Sequence, residues 1–219
     1  MTEQTAQPPR ALRARLLADY VPVKPLAAPM ARALWMLPIA VITLLAAQLV
    51  FELRVDAPRL GWSGTWGLST AQVVLGLIVV TAALREAVPG RSWGRAATAL
   101  WIGVPIAVVV AITWASWEVS PVHLRGGWYF VGGLCIAGSV VSALPAVAMA
   151  SVLAARAYPL RPAMSGALLG LGAGLMADAG WRLFCHFSEP AHVLSAHLGG
   201  VLVAMCLGSV MARRFATNP

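Results

Sequence analysis

The chain has 219 residues, 59% hydrophobic and 11% charged, with a net charge of +8 and a mean hydropathy of +0.77. An ordinary soluble domain carries about 25% charged residues, so this one would expose large apolar patches to water. A soluble enzyme, a disordered chain and a secreted disulfide scaffold are therefore poor fits, the last because its three cysteines are too few and odd in number.

Residues 1–9 read as disordered. From Arg10 to Val21 the pattern turns helical, with Leu12, Leu16 and Tyr20 at four-residue steps, Leu17 and Val21 beside them, and Arg10 and Arg13 mostly away from that face. A helix this short is marginal alone and needs a surface for its apolar stripe. Two surfaces compete: an anionic inner leaflet and a groove on a soluble partner. Pro22, Pro25 and Pro29 then make a stiff connector that would hold the helix off the membrane, which favours a docking arm. With no short apolar signal core and no cleavage site, the amino terminus is expected to stay in the cytoplasm.

Six apolar runs long enough to cross a bilayer follow, at about 33–53, 67–88, 97–117, 128–155, 163–184 and 194–212. The expected fold is an all-α polytopic membrane protein with six transmembrane helices and a short cytoplasmic amphipathic amino-terminal helix. Its parts are an arm (1–32), the six-helix domain (33–212) and a cytoplasmic tail (213–219). Pro38, Pro105 and Pro145 lie inside spans and mark expected kinks. One side of the predicted bundle collects Arg10, Arg13, Arg15, Lys24, Arg32, Arg85, Arg91, Arg95, Arg156, Arg161, Arg213 and Arg214. The other holds only Arg54, Arg59, Arg125 and Arg182, so both termini are expected on the cytoplasmic side. The basic balance thus marks orientation, and direct nucleic-acid binding is not expected. Trp35, Trp62, Trp66, Trp93, Trp101, Trp117, Trp128 and Trp181 lie near span ends, as an interfacial belt requires. Gly166, Gly170 and Gly174, with Gly172, form a small-residue stripe suited to internal packing or to a homodimer.

The four histidines all fall at or near the outer side. His123 is in the second outer loop, and Cys185, His186, His192 and His197 lie in the third loop and the start of the sixth span. Cys135 is a little below that surface and Cys206 much deeper. Thiolate and imidazole suit a soft or borderline cation, and Cys135 with Cys185 would equally serve as a redox pair. As membrane cysteines they would also pass as small hydrophobes, and neither C-x-x-C nor H-x-x-x-H spacing singles out a metal site. Asp178, the one acid deep in a span, has Arg182 four residues later, the order expected of a helical ion pair. Glu52 and Arg54, at the first outer boundary, read the same way. No catalytic residues are expected, because Ser165 and His197 belong to opposite sides of the bilayer. Haem ligation would need facing histidines within spans, and no phosphate-binding loop occurs. No cofactor is expected and a bound metal is left open. A small-solute transporter or a structural membrane subunit remains the alternative reading.

The arm ALRARLLADYVPVKPLAAPMARALW, Cys135 with Pro145 in span four, PLRP at 159–162, and the ending WRLFCHFSEPAHVLSAHLGG together resemble the NrsF family of bacterial inner-membrane anti-sigma factors. The likeness covers nearly the whole chain. The family reads His-Cys at the second cysteine, where this chain has Phe184-Cys185-His186. In size and plan the chain is also similar to a membrane anti-sigma factor that regulates carotenoid synthesis. The resemblance implies an arm that sequesters an extracytoplasmic-function sigma factor, with Leu12, Leu16, Leu17 and Tyr20 in a groove and Arg13 and Arg15 at its rim. It also implies release on a stress signal: a metal or oxidant sensed at Cys135, Cys185 and His186, or alternatively a membrane stimulus such as light-generated singlet oxygen that triggers proteolysis.

Overall fold

The computed structural model describes residues 9–19, 25–121 and 128–217. Tyr20, His123 and Arg125 lie outside the described residues, as do the side chains of Leu16 and Trp128. Among the described residues there is no strand, and six helices are long and apolar enough to cross a membrane. They are Pro29–Ala46, Ala57–Glu86, Arg95–Val119, Val131–Ala155, Pro162–Trp181 and Pro190–Ala216, numbered here as spans one to six.

Pro29, Pro162 and Pro190 each stand in the first turn of their helix, where the missing N–H has no intrahelical partner to lose. Span one is displaced toward the amino terminus of the predicted run. It loses helical geometry after Gln48, because residues 49–56 form a loop despite their apolar character. That loop is held by Arg54, which grips Asp56 through both carboxylate oxygens at 2.5 and 2.7 Å. The Arg54 backbone N–H also donates to the Leu183 carbonyl at 2.9 Å. Asp56, two residues on, is thus the partner of Arg54, in place of the expected Glu52. Span two begins ten residues before the predicted run, through a helix at Ala57–Trp62 and a π-helical turn at Ser63–Gly67.

Span five is the axis of the bundle. Its apolar window is 83% buried against 17% for span one, although its mean hydropathy of 1.2 is the lowest of the six. A helix facing protein on all sides needs close fit more than lipid affinity, so small residues replace large ones. A Cβ on Gly166 would strike the Gly208 carbonyl oxygen, and one on Gly170 the Ala204 carbonyl oxygen. Gly174 lies against Val201 and Ala204, which completes the antiparallel contact with span six. On another face a Cβ on Gly172 would lie 2.7 Å from the Gly76 carbonyl oxygen of span two, and the reverse also holds. The stripe at 166, 170 and 174 is filled by span six of the same chain, the internal packing that is one of its two expected uses.

At the end where the arm enters the bundle, Arg32 is 5% exposed and reaches two other spans. Its guanidinium donates to the Leu84 carbonyl of span two at 2.9 Å and the Leu153 carbonyl of span four at 3.1 Å. Both carbonyls belong to helix carboxy-terminal turns, whose orphan oxygens favour a cation. At the same end Glu86 accepts the Trp93 backbone N–H and pairs with Arg161 at 3.3 Å, tying the loop after span two to span five.

Overpacking a tight helix crossing costs about 1–3 kcal/mol. Gly170→Val should therefore melt at lower temperature in detergent than the unaltered chain. Gly103→Val, where a Cβ meets nothing within 4 Å, should melt unchanged. Equal melting temperatures for the two variants would refute the span five–span six contact.

Candidate functional site

The register of the glycine contact determines what meets at the other end of the bundle. Four residues beyond Gly174 on the same face of span five stands Asp178. Four residues before Val201 on span six stands His197. The two meet: His197 Nδ1 lies 2.8 Å from Asp178 Oδ1, with both side chains fully buried. The second carboxylate oxygen accepts from Gln72 Nε2 of span two at 2.8 Å, and Gln72 also donates to the Leu175 carbonyl at 3.2 Å. The side chains of Asp178 and Arg182 do not form the expected ion pair, although the Arg182 backbone N–H donates to the Asp178 carbonyl at 2.8 Å. Arg182 follows the last helical residue of span five, and its guanidinium turns away to donate to Thr113 Oγ1 of span three at 3.2 Å. Burial lowers the Arg182 pKa from its ordinary value, with the Asp178 charge opposing that fall.

His197 spends its Nδ1 on Asp178, so Nε2 is the nitrogen it has left, and that atom is buried with no hydrogen-bond partner. Around it are Cys135, Cys185 and His192. One ligand atom from each of the four residues lies within 4.8 Å of the other three, and all four side chains are buried. The sulfurs of Cys135 and Cys185 are 3.7 Å apart, and Cys185 Sγ lies 3.3 Å from His192 Nε2. His192 Nδ1 has no hydrogen-bond partner. The imidazole rings of His192 and His197 meet edge to face at 5.5 Å, and Phe187 packs on His192 at 5.4 Å.

Three segments deliver these groups. Cys135 comes from the first turns of span four. Cys185 comes from the loop after span five, which folds into the bundle: Leu183, Phe184 and Cys185 are all buried. That loop is strapped by the Arg54 N–H to Leu183 and by Ser188 Oγ to the Ser120 carbonyl at 2.8 Å. Hydrogen bonding to Cys135 and burial raise the Cys185 pKa above its ordinary value. His192 and His197 come from span six, where Val193–His197 is a π-helical turn. Residues five apart on an α-helix point about 140° apart, whereas i→i+5 bonding brings them to one face. That local widening gathers both imidazoles at the cysteines.

Of the expected sensing residues, Cys135 and Cys185 are brought together. His186 points elsewhere, its Nδ1 accepting the Val55 backbone N–H at 3.1 Å. Cys206 is exposed and takes no part. His192 and His197 complete the cluster, and H-x-x-x-x-H beside a cysteine in a loop was the available signal for them. Of the arm residues, Leu12, Arg13, Arg15 and Leu17 lie on the helix Arg10–Ala18 with every described side chain exposed; Leu17 is 68% exposed.

The NrsF family, described as negative regulator of sigma F, matches residues 16–217. The chain belongs to this family. Comparison with curated proteins and with solved structures returns no match. NrsF members act on a sigma factor, so this chain is a negative regulator of one, and its six apolar helices mark it as a membrane protein.

A disulfide needs a sulfur separation of about 2.05 Å, so the two buried thiols are a short movement from bonding. Diamide treatment of the solubilised chain should remove two of its three titratable thiols. The same treatment of Cys185→Ser should leave both remaining thiols free within one chain. Three free thiols after oxidation of the unaltered chain would contradict the Cys135–Cys185 contact.

Proposed function

We propose that this NrsF-family chain is an inner-membrane anti-sigma factor with both termini in the cytoplasm. Residues 1–32 bind an extracytoplasmic-function sigma factor and keep it from RNA polymerase, while 33–212 hold the arm at the membrane and 213–219 form a short tail. The chain acts by binding rather than catalysis and needs no nucleic-acid contact. The observation that carries this reading is the arm: a nine-residue helix with exposed leucines, standing outside the bundle of a chain whose family regulates a sigma factor negatively. Such a helix is marginal without a surface to bury its stripe. Its expected contacts are Leu12, Leu16, Leu17 and Tyr20 in an apolar groove, with Arg13 and Arg15 against acids at the rim.

The bundle end opposite the arm carries Cys135 and Cys185 and reads the stress signal, a metal or an oxidant. Displacement there travels along spans four and five. It reaches the Leu153 carbonyl that Arg32 grips at the foot of the arm. A solute pathway would need a free buried acid, and Asp178 is committed to Gln72 and His197.

Small sigma factors from the same genome, offered to the detergent-solubilised full chain, should yield one that is retained. Leu16→Asp with Tyr20→Ala should weaken that retention at least tenfold, about 1.4 kcal/mol. Unchanged retention would move the binding site off the arm. In cells, Cys135→Ser with Cys185→Ser should abolish induction of the regulated genes; intact induction would point to release by proteolysis instead.

A further inference from the structure

We infer that Cys135, Cys185, His192 and His197 form a closed four-ligand site for a divalent cation of borderline to soft character, with Asp178 and Gln72 as its supporting shell. The distances carry this. Two thiolates bound at about 2.3 Å to one tetrahedral ion lie about 3.8 Å apart, and a thiolate and an imidazole nitrogen about 3.5 Å apart. The two sulfurs stand at 3.7 Å, and Cys185 Sγ stands 3.3 Å from His192 Nε2. A thiol–thiol contact would account for the sulfurs alone. It leaves unexplained a fully buried His197 whose Nε2 has no hydrogen-bond partner.

The supporting groups fit the same reading. A ligating histidine ordinarily donates its other N–H to a carboxylate, which fixes tautomer and ring orientation. Asp178 accepts from His197 Nδ1 and is itself held by Gln72. Charge also balances: two thiols each release one proton on binding, and the resulting thiolates cancel the two positive charges of the ion. A neutral core is the form least penalised by burial. Val131, Ile136, Trp181 and Phe187 wrap it in apolar surface. Four protein ligands leave no open coordination position, so the site holds a metal and does no chemistry on a substrate. Bound metal would join span four, the loop after span five and span six at one point.

The probe is Co²⁺ alone, titrated into the full-length chain in detergent after chelator treatment under reducing conditions, with no sigma factor present. The expected result is one Co²⁺ per chain, with the visible bands of a tetrahedral ion, a near-ultraviolet thiolate-to-cobalt band and displacement by Zn²⁺. Cys185→Ser should lose about half the intensity of the thiolate band, because Cys135 remains as a ligand, and His197→Ala should lose tetrahedral intensity. Asp178→Asn should keep the spectrum but bind about 10–100-fold more weakly. Circular dichroism on each variant separates lost ligation from lost folding, and the unaltered chain is informative by itself. No cobalt binding, an octahedral spectrum, or a spectrum unchanged in folded His197→Ala would overturn the inference. Because no sigma factor enters the measurement, its outcome is independent of the arm's proposed role.

Discussion

Spans five and six approach until backbone meets backbone, and the rest of the bundle follows from that contact. Gly166 and Gly170 leave room for the carbonyls of Gly208 and Ala204, so the two helices lock in one antiparallel register. A helical step of four residues preserves the face, and one such step from the last contact brings Asp178 opposite His197. Shifting either helix by one residue would leave a carboxylate and an imidazole buried apart. Packing of residues without polar side chains therefore positions the polar pair.

That pair governs its surroundings because buried hydrogen-bonding groups tolerate few arrangements. Gln72 from span two completes the carboxylate, so three spans share one network. The His197 ring stands between that network and the two cysteines. Cys185 arrives from a loop, and a loop is an unusual source of buried groups because its backbone must find partners. Here it does: Leu183 receives the Arg54 N–H, and the Ser188 hydroxyl reaches Ser120.

The six spans were legible from apolar runs because bilayer thickness sets a minimum length, whatever the packing. Their ends were less so. Residues 49–53 are as apolar as a span interior, yet the pull of the Arg54–Asp56 pair and the Leu183 contact takes them out of the helix. Cys135 and Cys185 stood out by residue type. His192 and His197 did not, because a spacing of five has no place on an α-helical face and only the π-helical turn unites them. Asp178 was assigned to Arg182 by the i, i+4 rule. That rule describes exposed helix surfaces; inside a bundle, a partner from another helix competes without having to reach along its own. The inward role of Arg32 was hidden for a similar reason, since by charge count it resembled any other basic flanking residue.

The grip of Arg32 on spans two and four gives the arm a fixed point of departure. Only ten residues, 19–28, separate the arm helix from the start of span one. Fully extended, they reach no more than about 35 Å. The arm helix therefore stays within about that distance of the bundle's Arg32 end. The length of that segment, rather than any motion of the bundle, sets how far from the membrane the arm helix can act.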